Sequence, residues 1–173
     1  DVCLLEVTMS DNETELVVTE PSPGNRVGLR HGKVSELTVI VPLKPGGAAR
    51  LKKFIDSRNG DFTATDRVGT VHFMRFVFID NDTRLLFCTS FDGDWDSYID
   101  DFGTKIPDEL DALFSEAVGY PGIKSPTIKD YIAKYQITAA GWYCAYPDQT
   151  VQDVLHNAKV ASATENLLDA VES

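Results

Sequence analysis

His72 and Arg75 stand three residues apart in Val71-His72-Phe73-Met74-Arg75-Phe76-Val77-Phe78-Ile79, an apolar run that as a plain core strand needs neither. A neutral imidazole set in an apolar wall can take a proton from an acidic phenol or enol, which makes His72 the candidate base. The plainer alternative is a core histidine hydrogen-bonded to a neighbour. Counting by two puts Thr70, His72, Met74, Phe76 and Phe78 on one strand face, and Val71, Phe73, Arg75, Val77 and Ile79 on the other. Arg75 therefore joins the His72 face only through a bulge. Its expected role is an ion pair with an acid from a neighbouring helix or a partner subunit, since an unpaired buried guanidinium is costly.

Further candidates lie downstream. Trp142, Tyr143 and Tyr146 sit in Ala139-Ala140-Gly141-Trp142-Tyr143-Cys144-Ala145-Tyr146, where a phenol can orient a ligand oxygen or simply belong to an aromatic core. Trp95 and Tyr98 open a helical stripe able to roof a cavity, although such stripes are usually core. Asp92, Asp94 and Asp96 alternate like the start of a calcium loop. Gly93 is misplaced for one, however, and Gly103 stands where the closing glutamate belongs, so helix capping accounts for the cluster. Pro45-Gly46-Gly47 ahead of Arg50 and Lys52 suggests an anion at a helix start, but one glycine pair more often marks a turn. His31 and His156 read as solvent-facing, and neither forms a detectable ligand spacing with His72. Cys88 reads as a small buried hydrophobe.

Recurring patterns along the chain define the elements that must hold these groups. Residues 1–34 read as an arm: an apolar stretch Val2-Cys3-Leu4-Leu5-Glu6-Val7, then a turn-rich loop ending near Gly32. Residues 35–173 read as the folded domain. It opens with a strand in which Leu37, Val39, Val41 and Leu43 alternate with Thr38, Ile40 and Pro42. Lys44-Pro45-Gly46-Gly47 leads into a helix with Ala48, Leu51, Phe54 and Ile55 on one face. The hairpin follows, its strands joined by Asp80-Asn81-Asp82-Thr83. A helix capped near Asp94 then carries Trp95, Tyr98, Ile99 and Phe102 and is broken at Pro107, beyond which Leu110, Leu113, Phe114 and Ala117 continue the period. Ser125-Pro126 starts another helix, residues 139–146 form a last strand stopped by Pro147, and Thr150 with Asp153 caps a C-terminal amphipathic helix.

With 27 acidic against 16 basic residues in 173, the formal charge is −11, and such a surface repels a phosphate backbone, which argues against nucleic acid. At 43% hydrophobic residues the composition is that of a soluble globular protein. No apolar run is long enough for a membrane helix, and three scattered cysteines favour a reducing, cytoplasmic setting. No cofactor or metal motif is present.

The resulting order, strand, helix, strand, strand, helices, strand, is the βαββαβ order of a ferredoxin-like α+β sandwich, with an antiparallel sheet covered by helices on one face. Together with Val41-Pro42-Leu43-Lys44-Pro45-Gly46 and the aromatic hairpin, it resembles the dimeric α/β-barrel superfamily over roughly residues 35–147. The resemblance implies a homodimer with sheets face to face and a small apolar or aromatic molecule held between sheet and helices. The match is one of pattern and carries no catalytic motif; the residues themselves suggest ligand contacts at Met74, Phe76, Trp95, Tyr98 and Trp142 and, if the protein is catalytic, proton transfer by His72 with Tyr143 or Tyr146 orienting the substrate, as in a cofactor-independent cyclase or monooxygenase. Two alternatives stand beside this: a non-enzymatic interaction or assembly domain, and a haem-binding protein.

Overall fold

The computed structural model describes residues 28–172, so the strand expected over residues 2–7 lies outside the described residues. Nine elements and one 3-10 turn follow one another: β1 (Arg30–His31), β2 (Val34–Pro42), α1 (Gly47–Ser57), the 3-10 turn (Thr63–Arg67), β3 (Val71–Ile79), β4 (Arg84–Asp92), α2 (Trp95–Lys105), α3 (Pro107–Phe114), α4 (Ile128–Tyr135) and α5 (Val151–Glu172). The strands form one antiparallel sheet in the order β1-β2-β4-β3. The fold is therefore mixed α+β, with α1 crossing from β2 to β3 and β4 inserted between them.

Local chemistry explains most boundaries. Gly46 begins α1 at φ 70, a conformation that costs glycine little. Asp80, Asn81 and Asp82 turn the β3–β4 hairpin with positive φ, and these are the non-glycine types that tolerate it best. Pro107 separates α2 from α3 by occupying the first position of the second helix. α4 begins at Ile128 behind Thr127, two residues later than Ser125-Pro126 suggests, because Ser125 and Thr127 first close a turn on each other.

One face of the sheet is covered. Leu37, Val39 and Val41 of β2 and Leu85, Phe87 and Phe91 of β4 are buried against Leu51, Tyr98, Phe102, Leu110, Leu113 and Ile128 of the helices. Each such side chain contributes roughly 1.5–3 kcal/mol on leaving water. Tyr98 stacks on Phe91 at 3.8 Å between ring centres, and Phe76 meets Phe87 at 5.1 Å. The opposite face, carrying Thr38, Ile40, Phe73, Arg75, Val77, Leu86, Cys88 and Ser90, has no helix layer over it among the described residues.

The strand expected over 139–146 does not form. Its place beside β2 is already divided: β1 pairs with Val34 and Ser35, Gln136 bridges Val39, and Ala117 bridges Leu43. Leu29 and Val118 add backbone bonds at Glu36 and Pro42. With the edge of β2 taken in three short pieces, residues 139–147 leave it and run along the uncovered face as a strap. Arg30–His31, assigned to the arm from sequence, thus belongs to the sheet.

The C-terminal helix starts where Thr150 and Asp153 cap it reciprocally. The Asp153 amide donates to Thr150 Oγ1 at 3.1 Å and the Thr150 amide to Asp153 Oδ2 at 2.9 Å. Its apolar residues do not form the expected buried face, since every residue from Val154 to Val171 is exposed. Among the described residues no helix is long and apolar enough to cross a membrane.

Candidate functional site

A bulge decides where His72 goes. Val71 is level with Phe91 but Phe73 is level with Ser90, so His72 is an extra residue in β3. Alternation breaks there: Val71 and Met74 both pack on the core, while His72 turns to Asp92. The even-number face counted from sequence is therefore corrected, and His72 parts from Met74, Phe76 and Phe78. Its Nε2 lies 2.7 Å from Asp92 Oδ1. A carboxylate only accepts, so Nε2 carries the proton. The other oxygen, Asp92 Oδ2, accepts the Val151 amide at 2.8 Å, which ties the ends of β3 and β4 to the first turn of α5.

The remaining sequence candidates do not converge on His72. Met74 and Phe76 face the helix layer, where Thr65 Oγ1 donates to the Met74 sulfur at 3.8 Å. Trp95 is buried and donates from Nε1 to Gln136 Oε1 at 2.9 Å. Tyr98 shares a hydrogen bond of 2.7 Å with Thr89, and burial pushes its phenol pKa far up, so it stays neutral. Tyr143 and Tyr146 stand 84% and 67% exposed on the strap, and neither is hydrogen-bonded to His72. Between sheet and helices the void measures about 40 Å³, lined only by apolar and aromatic residues such as Val39, Phe87, Phe102 and Tyr131. A dry cavity that admits benzene is about 150 Å³, so this space as it stands is smaller than a single aromatic ring needs.

The acidic cluster and the basic residues after Gly47 are likewise engaged elsewhere. Asp94 pairs with Arg30 at 2.7 Å and Asp96 with Lys129 at 3.1 Å, so the three alternating carboxylates point to three different partners. Arg50 forks onto both oxygens of Glu116 at 2.9 and 2.6 Å, and that bond holds the Glu116 carboxyl below its ordinary pKa. Lys52 reaches Asp82. His31 is half-buried rather than solvent-facing.

A larger cleft lies on the uncovered sheet face. It measures about 390 Å³ and is lined by Glu36, Thr38, Phe73, Arg75, Cys88, Ser90 and, from the strap, Ala139, Gly141 and Trp142. Strand register lays the floor out in two transverse rows: Thr38, Cys88, Arg75, and beside it Glu36, Ser90, Phe73. Residues level with each other in adjacent strands stand about 5 Å apart, so each row spans roughly 10 Å. Phe73 is 77% exposed. Glu36 is only 4% exposed, and three hydrogen bonds hold its carboxylate: Oε1 accepts the amides of Leu29 at 3.1 Å and Ala139 at 3.2 Å, and Oε2 accepts Thr38 Oγ1 at 3.0 Å. These bonds fasten the strap to the floor and leave the cleft between them.

Of the expected ligand contacts Met74 and Trp142 border this cleft, and so do Arg75, expected in an ion pair, and Cys88, expected as a buried hydrophobe. The signal was present in the hairpin. A turn over 80–83 sets Arg75 level with Cys88, four pairs from the turn end at Ile79 and Arg84. No family model matches the chain, and neither a curated protein nor a solved structure shows significant similarity to it.

Proposed function

We propose that this chain is a small-molecule-binding protein whose ligand lies in the cleft on the uncovered sheet face, with its aromatic part between Phe73 and Trp142. The observation that carries this reading is the cleft itself. Its volume of about 390 Å³ falls within the ~300–1,000 Å³ of small-molecule sites, and it combines two accessible aromatic surfaces with a few polar groups. The tight interior void favours this face over the space between sheet and helices that the dimeric α/β-barrel resemblance suggests. Binding is favoured over proton-transfer catalysis, because His72 does not line the cleft and the two tyrosines face solvent.

The test is titration with a neutral aromatic probe, 2-naphthalenemethanol, followed by amide shifts in NMR. Binding that weakens in both Phe73→Ala and Trp142→Ala supports the reading. No binding at millimolar probe, or shifts confined to residues outside the cleft, refutes it. A second reading, self-association through a ferredoxin-like sheet, draws on the exposure of Phe73 and Val77 on the outermost strand. Sedimentation of the wild type against Phe73→Asp separates the two: under that reading the wild type is a dimer and the variant a monomer.

A further inference from the structure

Resting on the cleft assignment above, we infer that its ligand is an anion, of the class of planar aromatic carboxylates, recognised by Arg75. The inference comes from counting what the cleft leaves unused. Among the described residues, the Arg75 guanidinium, the Ser90 hydroxyl and the Cys88 thiol have no hydrogen-bond or ion-pair partner, although Arg75 stands on a strand whose neighbours are apolar. The cations on and beside the other strands are engaged in ion pairs: Arg30 with Asp94, Lys33 with Asp153, Arg84 with Asp80.

All three unused groups donate. Guanidinium offers five N–H bonds in a planar fork, hydroxyl one, thiol a weak one. The one carboxylate in the cleft, Glu36, is buried and already accepts three hydrogen bonds, which uses most of its acceptor capacity. A site of free donors beside a buried, largely used acceptor selects an acceptor-rich group, and the fork of arginine matches a carboxylate two bonds at a time. Geometry agrees. Cys88 is level with Arg75 across the strand pair, and Ser90 is diagonal to it, about 7 Å away. Phe73 lies two residues along the same strand face, so a ring attached to that carboxylate falls on Phe73 with Trp142 on the far wall. The chain's charge of −11 acts against anions at a distance, but at physiological ionic strength it is screened beyond about 8 Å. At contact, Arg75 is the only charged cleft residue without a partner.

The test pairs 2-naphthoate with the neutral 2-naphthalenemethanol, on the wild type and on Arg75→Gln and Arg75→Lys. A charged hydrogen bond is worth enough that the wild type is expected to bind the carboxylate on the order of tenfold to a hundredfold more tightly than the alcohol. Arg75→Gln is expected to abolish that preference while leaving the alcohol's affinity within about twofold, and Arg75→Lys to keep part of it. Equal binding of the two probes to the wild type, or a preference that survives in Arg75→Gln, overturns the anion inference and leaves the cleft assignment standing. Failure of both probes to bind overturns both.

Discussion

Replacing His72 by alanine separates a tethering role from a catalytic one. The substitution removes the Nε2–H donor from Asp92 Oδ1, at 2.7 Å in a spot where both side chains are mostly buried, and leaves the Val151 amide on the other oxygen. A hydrogen bond to a charged group contributes about 1.5–3 kcal/mol, and the surviving bond to Val151 softens but does not cancel the loss. Destabilisation of about 2–3 kcal/mol is expected, a fall of roughly 4–12 °C in Tm for a chain of this size. The effect has an address as well as a size. Hydrogen exchange of the Val151 amide, and of the first turn of α5 behind it, is expected to accelerate more than that of the β3–β4 ladder. Affinity for 2-naphthoate is expected to stay within about twofold, because His72 does not line the cleft. Calorimetry, exchange and titration on one preparation decide it. A variant with stability unchanged within about 0.5 kcal/mol but with probe binding lost refutes the tether and puts His72 in the site.

Other expectations follow from the same contacts. Asp153 is held below its ordinary pKa of 3.8 by the amide and then the hydroxyl of Thr150, so the cap it forms is complete above that value and is lost as pH falls through the lowered one. Helicity of α5 measured down an acid titration should therefore decline at lower pH in the wild type than an ordinary carboxyl would give, and Asp153→Asn should remove that step. Tyr98→Phe and Thr89→Val each strand a buried hydroxyl and should cost about 1–2 kcal/mol, while the double variant costs clearly less than their sum; additive losses in denaturant unfolding would contradict the 2.7 Å bond. Gly32 has φ +58, and a Cβ there would sit 2.6 Å from the Pro147 carbonyl oxygen, so Gly32→Ala should destabilise by about 1–3 kcal/mol and shift the emission of Trp142 as the strap is displaced.

What was legible in the sequence is what short stretches decide by themselves. The positive-φ turn at Asp80-Asn81-Asp82, the glycine start of α1, the break at Pro107 and the Thr150–Asp153 cap all depend on neighbours a few residues away, and each stands where expected. The bulge at His72 depends on Asp92, twenty positions on, and nothing within β3 announces it. The strand expected over 139–146 has adequate β-formers, but whether it joins the sheet depends on the edge of β2, which residues 30–31 and 117 had already claimed. The candidate site fell between these cases. Its two floor rows follow from hairpin register, which the turn fixes, whereas its wall is the strap, whose course only tertiary competition determines.

That divided edge also sets an order of events as the chain emerges. β2 and the hairpin can pair once Asp92 has left the ribosome, yet the central stretch of the outer edge waits for Gln136 and Ile137, and the Glu36 carboxylate beside it for Ala139, 103 positions on. Until then β2 shows open donors and acceptors to any passing strand, the condition that favours pairing between chains. A chain stopped before residue 136 would keep its core residues and its hairpin but carry an unfinished border. Its yield in soluble form, compared with one ended after Pro147, would measure how far the same few residues that wall the cleft also guard the nascent protein against its neighbours.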